Sequence, residues 1–416
     1  MQQTKNRWLI ALAAIGIHIS IGSVYAFSVL TKPVMAALGC SLKDATWAFS
    51  LAILFLGTSA GFLGTYVERF GPRRSGLVSM CFFVTGMLGT AWAVHVQSLA
   101  LMYIFYGVIG GIGLGIGYIT PVSTLVKWFP KNRGLATGLA IMGFGFASLI
   151  AGPVMQLLIA SYGLVENFII MGCIYAVVMT VSALYLAPPV MPELKSSGFK
   201  AHSMLDIPRQ YTAGEAMRTW QFYLLWWVFF TNITCGIGLL AVASPMAQEV
   251  IMMSPLAAAS MVGVIGLLNG GGRIVWSTVS DYIGRPNTYI AFFALQIVAF
   301  YLLAGVSDSF WFQALIFLII TCYGGGFSCM PAYLSDIYGT KQLSAIHGRI
   351  LTAWGLAGLA GPLLLSAIYE RTHSYSITLY FFSACFVLSL VLAVFLKMQL
   401  AKKEADEKLG EAAQIH

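Results

Sequence analysis

The sequence predicts an all-α membrane protein of twelve transmembrane helices, arranged as two pseudo-symmetric six-helix halves. Three observations predict it. Hydrophobic residues make up 59% of the 416-residue chain and charged residues only 9%, with a mean hydropathy of +0.83, whereas a soluble domain carries about a quarter of its residues charged. Apolar runs long enough to cross a bilayer, roughly 20 residues each, recur twelve times, at 8–30, 46–66, 75–95, 99–126, 134–160, 167–187, 220–248, 256–278, 288–305, 310–334, 345–369 and 377–396. The first six runs and the last six also echo each other in sequence.

The echo fixes the organisation. Glu68 after the second span matches Asp281 after the eighth at an offset of 213, Ala151-Gly-Pro153 matches Ala360-Gly-Pro362 at 209, and Pro121 matches Pro331 at 210. Three anchors near one offset indicate a duplicated unit. This predicts an N-terminal half at 1–187, a cytoplasmic central loop at 188–219, a C-terminal half at 220–397 and a charged cytoplasmic tail at 398–416. The central loop carries Pro188, Pro189, Pro192, Pro208 and mixed charge. Parallel repeats with a substrate site between them, near the middle of the bilayer, are the architecture of a secondary transporter. The first apolar run follows Lys5 and Arg7 but is too long for a signal-peptide core.

The net charge of +8 raises the question of a polyanionic partner, and its distribution answers it. With both termini in the cytoplasm, nineteen Lys and Arg fall in inside segments, three (Lys32, Lys43, Arg371) fall outside, and Arg273 lies within a span. That is the positive-inside rule, and nucleic acid is not needed to explain the charge. The seven cysteines are scattered, mostly within spans, and form no metal-ligand or redox spacing. No metal or cofactor is expected.

Arg273 is the one charged residue deep inside an apolar span, in Asn269-Gly-Gly-Gly-Arg273-Ile-Val-Trp276. A guanidinium at membrane depth costs at least about 3 kcal/mol unless it is paired or faces a water-filled cavity, and it does not shed its proton. It reads as a binding group for an anion. Tyr25, Tyr118, Phe144, Tyr323 and Phe327 all lie near mid-span; polar-tipped aromatics seal out water and donate hydrogen bonds without changing the charge balance. Glycines 107, 110, 111, 113, 115 and 117 of the fourth span lack the preceding strand of a nucleotide loop. They read as close-packing positions, as do Gly270, Gly271 and Gly272 beside Arg273, where the backbone could also approach a carboxylate.

Two short cytoplasmic loops carry a gating pattern. Gly64, Glu68, Arg69, Gly71 and Arg73 follow the second span, and Asp281, Gly284 and Arg285 follow the eighth. A carboxylate, a conformationally free glycine and nearby cations are what inter-helix bridges need to hold one access state closed.

These loops resemble the loop motif of the major facilitator superfamily, with Ser277 in place of the leading glycine and Tyr282 in place of an arginine in the second copy. Gly22-Ser-Val-Tyr25, Gly113-Leu-Gly-Ile-Gly-Tyr118, Lys127-Trp-Phe-Pro130-Lys-Asn-Arg133, Asn269-Gly-Gly-Gly-Arg273 and Tyr323-Gly-Gly-Gly-Phe327 further resemble the oxalate/formate antiporter family. That family is a monocarboxylate-transporter-like branch of the superfamily, and the resemblance covers nearly the whole chain. It implies a twelve-helix transporter fold, a carboxylate held by Arg273, and a cavity lined by Tyr25, Tyr118, Phe144, Asn269, Tyr323 and Phe327. It also implies a bacterial inner-membrane location and function as a monomer.

One departure bears on the substrate. Oxalate exchangers of the family place a lysine in the eleventh span, and alignment through His347 and Gly348 puts Trp354 there. A dianion facing Arg273 alone keeps an uncompensated charge in a poorly solvated cavity. The expected cargo is therefore a small monocarboxylate such as lactate, pyruvate or formate, with Trp354 narrowing the cavity and an oxalate/formate-type dicarboxylate antiporter as the alternative. Proton symport and anion exchange both fit. His18, seven residues before Tyr25 and on nearly the same helix face, is either a proton carrier or a neutral histidine bonded within the bundle. His347 and Arg349 read as charges at the cytoplasmic mouth. A carboxylate sensor would need a partner-binding module that the short loops do not supply, and the spans hold no enzyme-like constellation.

Overall fold

The computed structural model describes residues 5–40, 42–189 and 210–414. Described residues are helical apart from short connections. The N-terminal part contains α1 (Arg7–Ile21), α2 (Phe27–Leu38), α3 (Leu42–His95), α4 (Leu99–Met102), α5 (Gly111–Trp128), α6 (Arg133–Tyr162) and α7 (Leu164–Tyr185). The short α8 (Ala213–Ala216) leads to α9 (Trp220–Val250), α10 (Pro255–Ile283), α11 (Arg285–Leu303), α12 (Ser309–Tyr338), α13 (Leu343–Ile350), α14 (Thr352–Thr372) and α15 (Tyr375–Gln414).

Ten helical stretches among the described residues are long and apolar enough to cross a membrane. One of them, Trp47–His95, is two helices divided at Gly71, whose φ of 76° and ψ of 171° break the helix before Pro72. The 29-residue α10 supplies the twelfth segment. Gly284, at the matching place in the second half, also has positive φ (83°) and hands α10 over to α11. A glycine adopts this conformation freely, and a proline at the start of the next helix gives up no needed donor.

Two spans depart from regular α-helix. The first passes through a 3-10 segment, Gly22–Ala26, which carries Tyr25. There α6 comes so close that a Cβ on Gly22 would lie 2.6 Å from the Phe144 backbone. The fourth span begins with a π-helical segment, Tyr103–Gly110. Its glycines pack as a close-approach face: Gly107, Gly111 and Gly115 meet the first segment of α3, and Gly113 and Gly117 the second.

The two sets of helices meet along α6 against α10 and along α3 against α13 and α14. Small residues allow both contacts. A Cβ on Gly145 would lie 2.7 Å from Gly270, and one on Gly57 would lie 2.6 Å from the Leu351 carbonyl. In a bilayer, where lipid is as apolar as leucine, such backbone proximity replaces the hydrophobic drive. Of the central loop expected at 188–219, residues 190–209, with Lys195, Lys200 and Arg209, lie outside the described residues. Its end docks on the α12–α13 connection, where the Gln210 side-chain carbonyl accepts from the amides of Thr340 (3.0 Å) and Lys341 (2.9 Å). The helix α15 continues through the tail to Gln414.

Candidate functional site

Asn269 and Arg273 stand one turn apart on the face of α10 that meets α6. Arg273 is fully buried. Its Nε donates to Asn269 Oδ1 at 3.3 Å and its Nη1 to the Ile141 carbonyl of α6 at 3.1 Å. The guanidinium carbon lies 5.8 Å from the Phe144 ring centroid and 5.2 Å from that of Phe327, a cation–π arrangement between two rings from different halves. Nη2 is buried without a hydrogen-bond partner, and no carboxylate among the described residues pairs with Arg273.

The aromatic residues expected from the sequence come together here. Trp354 of α14 fills the centre, with ring centroids 4.7 Å from Phe327, 5.1 Å from Tyr118, 5.5 Å from Phe144 and 6.4 Å from Tyr25. Tyr323 reaches the group through Phe327 at 5.3 Å. The hydroxyls of Tyr25 and Tyr323 are in side-chain reach of each other, and that of Tyr25 is in reach of Arg273. None of them closes a bond of normal geometry: Tyr25, Tyr118 and Tyr323 hydroxyls, Trp354 Nε1 and Arg273 Nη2 are all buried and unpartnered. A buried donor without an acceptor costs about 1–3 kcal/mol. Five of them in one touching cluster, around a fixed cation, form a site suited to an anion with several acceptor lone pairs.

Gly270 and Gly272 serve packing, against Phe146 and Thr321 respectively, while nothing lies within 4 Å of the Cβ position of Gly271. His18 has a backbone carbonyl on each nitrogen, so a neutral ring donates to one of them and only an imidazolium would donate to both. Nδ1 faces the Ala140 carbonyl at 2.5 Å, Nε2 faces the Tyr118 carbonyl at 3.0 Å, and the ring stacks on Tyr118 at 5.1 Å.

His347 departs from the sequence expectation. It is not a charge at the mouth but is 1% exposed, its ring centroid 6.0 Å from that of Tyr118, with neither nitrogen partnered. The reason is that α13 lies folded against α3 and α5, so a segment that hydropathy places at a helix end is covered by the other half. The sequence carries a signal for it: His347 precedes Trp354 by the same seven residues that separate His18 from Tyr25.

The loop residues form two related contacts between the halves. Glu68 Oε1 accepts from the Ser344 amide at the start of α13 (2.7 Å), and its Oε2 pairs with Lys127 (2.7 Å). Asp281 accepts from the Gly134 and Leu135 amides at the start of α6 (2.9 Å each). Arg285 binds Asp281 (2.5 Å) and Asp336 (3.3 Å), and Arg133 binds Asp336 (3.0 Å). Gly64 allows the first contact, since a Cβ there would lie 2.5 Å from Ala345. Arg69 and Arg73 are exposed, and neither makes an ion pair among the described residues. Lys127, Arg133 and Asp336 do the pairing instead, and sequence reasoning did not assign them to the loops.

Such a bundle, with a buried cation that pairs with no carboxylate among the described residues, between two halves latched at helix ends, is the arrangement of a membrane transporter. The family model of the Major Facilitator Superfamily matches residues 13–299 and 235–414, and the chain belongs to that superfamily. It is 28% identical to the uncharacterized MFS-type transporter YhjX of Escherichia coli (strain K12), over 85% of this chain and 86% of that one. It is 28% identical to the oxalate:formate antiporter of Oxalobacter formigenes (87% and 85%) and 26% identical to monocarboxylate transporter 4 of Rattus norvegicus (86% and 77%). The relatives include an oxalate:formate antiporter and monocarboxylate transporters, and membership of the superfamily makes the chain a multi-pass membrane transporter and not an enzyme. Among solved structures, the proton:xylose symporter XylE shares the fold, with a TM-score of 0.73 at 14% identity, over 92% of this chain and 94% of that one.

Proposed function

We propose that the protein carries small monocarboxylates, of the lactate, pyruvate or formate kind, across the membrane by alternating access. The observation that carries this reading is the single guanidinium of Arg273, buried with a free Nη2 among the unpartnered donors of Tyr25, Tyr118, Tyr323 and Trp354. One bound carboxylate neutralises one cation and accepts from these donors. Asn269 orients the guanidinium through Nε, leaving Nη2 for the cargo, and Phe144, Phe327 and Trp354 shape the walls. Asp281 and Glu68, each on the start of a helix in the opposite half, hold the cytoplasmic side closed in this reading. Arg285, Lys127, Arg133 and Asp336 brace them. The positive-inside distribution supports both termini in the cytoplasm, and the branch of the superfamily supports a bacterial inner membrane and a monomer.

A second reading, exchange of a dicarboxylate such as oxalate, is supported by the 28% identity to an oxalate:formate antiporter. Against it stands the absence of a second fixed cation in the ring cluster, where Trp354 sits. The deciding measurement is uptake of labelled lactate, pyruvate, formate and oxalate into proteoliposomes, with and without a pH gradient. Saturable monocarboxylate uptake is expected; oxalate exchange with no monocarboxylate uptake would replace this reading with the second.

A further inference from the structure

Two buried imidazoles flank Tyr118, one from each half, and they are held in opposite ways. His18 has a backbone carbonyl on each nitrogen. His347 is equally buried and has a partner on neither. A polar ring buried and unbonded is unfavourable by about 1–3 kcal/mol, and packing by itself would be better served by an apolar residue.

The surroundings of His347 give it a use. Its helix, α13, has eight residues and is fastened to the other half by contacts that all cross the interface. Besides the Ser344 amide on Glu68, Ser344 Oγ donates to Ser123 Oγ at 2.6 Å. Gly348 packs on the Ala60 carbonyl so closely that a Cβ would lie 1.9 Å from it. Any opening of the cytoplasmic side along this seam separates His347 from Tyr118 and admits water to the ring.

The titratable groups on the elements around α13 leave His347 without a counter-ion. Glu68 of α3 is committed to Lys127 of α5 and to Ser344. Asp336 of α12 is committed to Arg133 and Arg285. Tyr338 of α12 bonds Thr219, and Glu215 of α8 closes a capping box with Thr212. Glu249 of α9 accepts from Tyr369, and Asp44 lies in the first turn of α3, at the other end of that segment from Glu68. Tyr118 and His18, which face His347, and Arg349 on α13 itself are not anions. A proton on His347 therefore has no acceptor in the closed arrangement, while the opened seam offers it water.

We propose that His347 is a proton-binding site of the transport cycle. It takes a proton from cytoplasmic water when α13 parts from α3 and α5. The imidazolium returns to its buried position only when a carboxylate occupies Arg273 in the adjacent site, which Tyr118 touches through Trp354 and Phe144, so that the closed interior carries one net positive charge whether empty or loaded. This rests on the reading of the protein as a monocarboxylate transporter, and it couples one proton to one monoanion.

Two measurements test it. In a Ser123→Cys/Ser344→Cys chain, the cross-linked peptide is quantified by mass spectrometry between about pH 5 and pH 8. Protonation of an exposed histidine favours the open seam below a pH of about 6.5, so cross-linking relative to the same pair carrying His347→Gln falls by up to about tenfold per pH unit. A ratio that does not change with pH overturns the proposal; His347→Asn replaces the Gln variant should that chain not fold. In proteoliposomes, the wild type accumulates labelled lactate under a proton gradient, whereas His347→Gln still exchanges lactate but does not accumulate it. Accumulation by that variant equal to the wild type also overturns the proposal. Were the wild type to carry no monocarboxylate, the transport reading would fall, and the cross-linking ratio would still decide the proton site.

Discussion

Glu68 accepts the backbone amide of Ser344 at 2.7 Å, joining the end of a helix in one half to the start of a helix in the other. Asp281 repeats the arrangement in reverse, on the amides of Gly134 and Leu135. The first amides of a helix have no partner within it, and the helix dipole favours negative charge there. Both carboxylates thus act as caps that exist only while the halves touch.

Neutralising a cap keeps its shape and removes its charge. Glu68→Gln and Asp281→Asn are each expected to weaken closure by about 1–2 kcal/mol, a factor of about 5–30 in the closed-to-open ratio. The check is labelling of Ser123→Cys by a membrane-impermeant maleimide from the cytoplasmic side, which should rise by that factor. Unchanged labelling in both variants would remove the caps from the gating scheme.

Arg273→Lys keeps the charge but loses the planar fork that serves Asn269, Ile141 and the free Nη2 at once. A charge-assisted hydrogen bond is worth about 1.5–3 kcal/mol, so kcat/KM for lactate uptake should fall about 10- to 100-fold. Transport by this variant at the wild-type level would show that Arg273 does not hold the cargo.

Trp354→Lys places a second cation in the ring cluster, about where a dianion's second charge would lie. Two unit charges 4 Å apart interact by about 4 kcal/mol at an effective dielectric of 20, so even a third of that should raise oxalate uptake about tenfold while lactate uptake drops. Oxalate uptake that stays at the wild-type level would mean that the cavity excludes dianions by shape and not by charge.

Gly348→Ala tests the seam between α3 and α13. The added methyl would sit 1.9 Å from the Ala60 carbonyl, which is backbone and does not yield. Overpacking of this kind costs about 1–3 kcal/mol, so cross-linking of the Ser123→Cys/Ser344→Cys pair should drop at least about fivefold. Gly214→Ala, where nothing lies within 4 Å, should leave it unchanged.

Much of the site was legible in the chain. Arg273 stands out because a cation in an apolar run is visible without any fold. Tyr25, Tyr118, Phe144, Tyr323 and Phe327 were legible because mid-span residues of different helices lie at one depth, and all five prove to share a cluster with Trp354. Less legible was which cation serves which carboxylate. Arg69 and Arg73 lie next to Glu68 in sequence, yet Lys127, 59 residues away, forms the pair. A helix end points its charged residues in several directions, and only the neighbouring helix decides which one finds a partner. His347 was misplaced for a related reason, since a histidine near a predicted span boundary looks solvated until another half is packed over it.

The sequence by itself determined that this chain spans a membrane, that its first and last six apolar runs echo each other, and that a cation, Arg273, lies deep within one of them. Hydropathy, repetition and the cost of an unpaired charge are properties of the chain, read residue by residue. Tertiary structure alone decided that α13 folds beneath α3, that Glu68 and Asp281 cap helices of the opposite halves, and that His347 is sealed against Tyr118. These depend on backbones brought together at Gly64, Gly348, Gly145 and Gly270, and such proximity is a property of the packed halves that no local pattern along the chain contains.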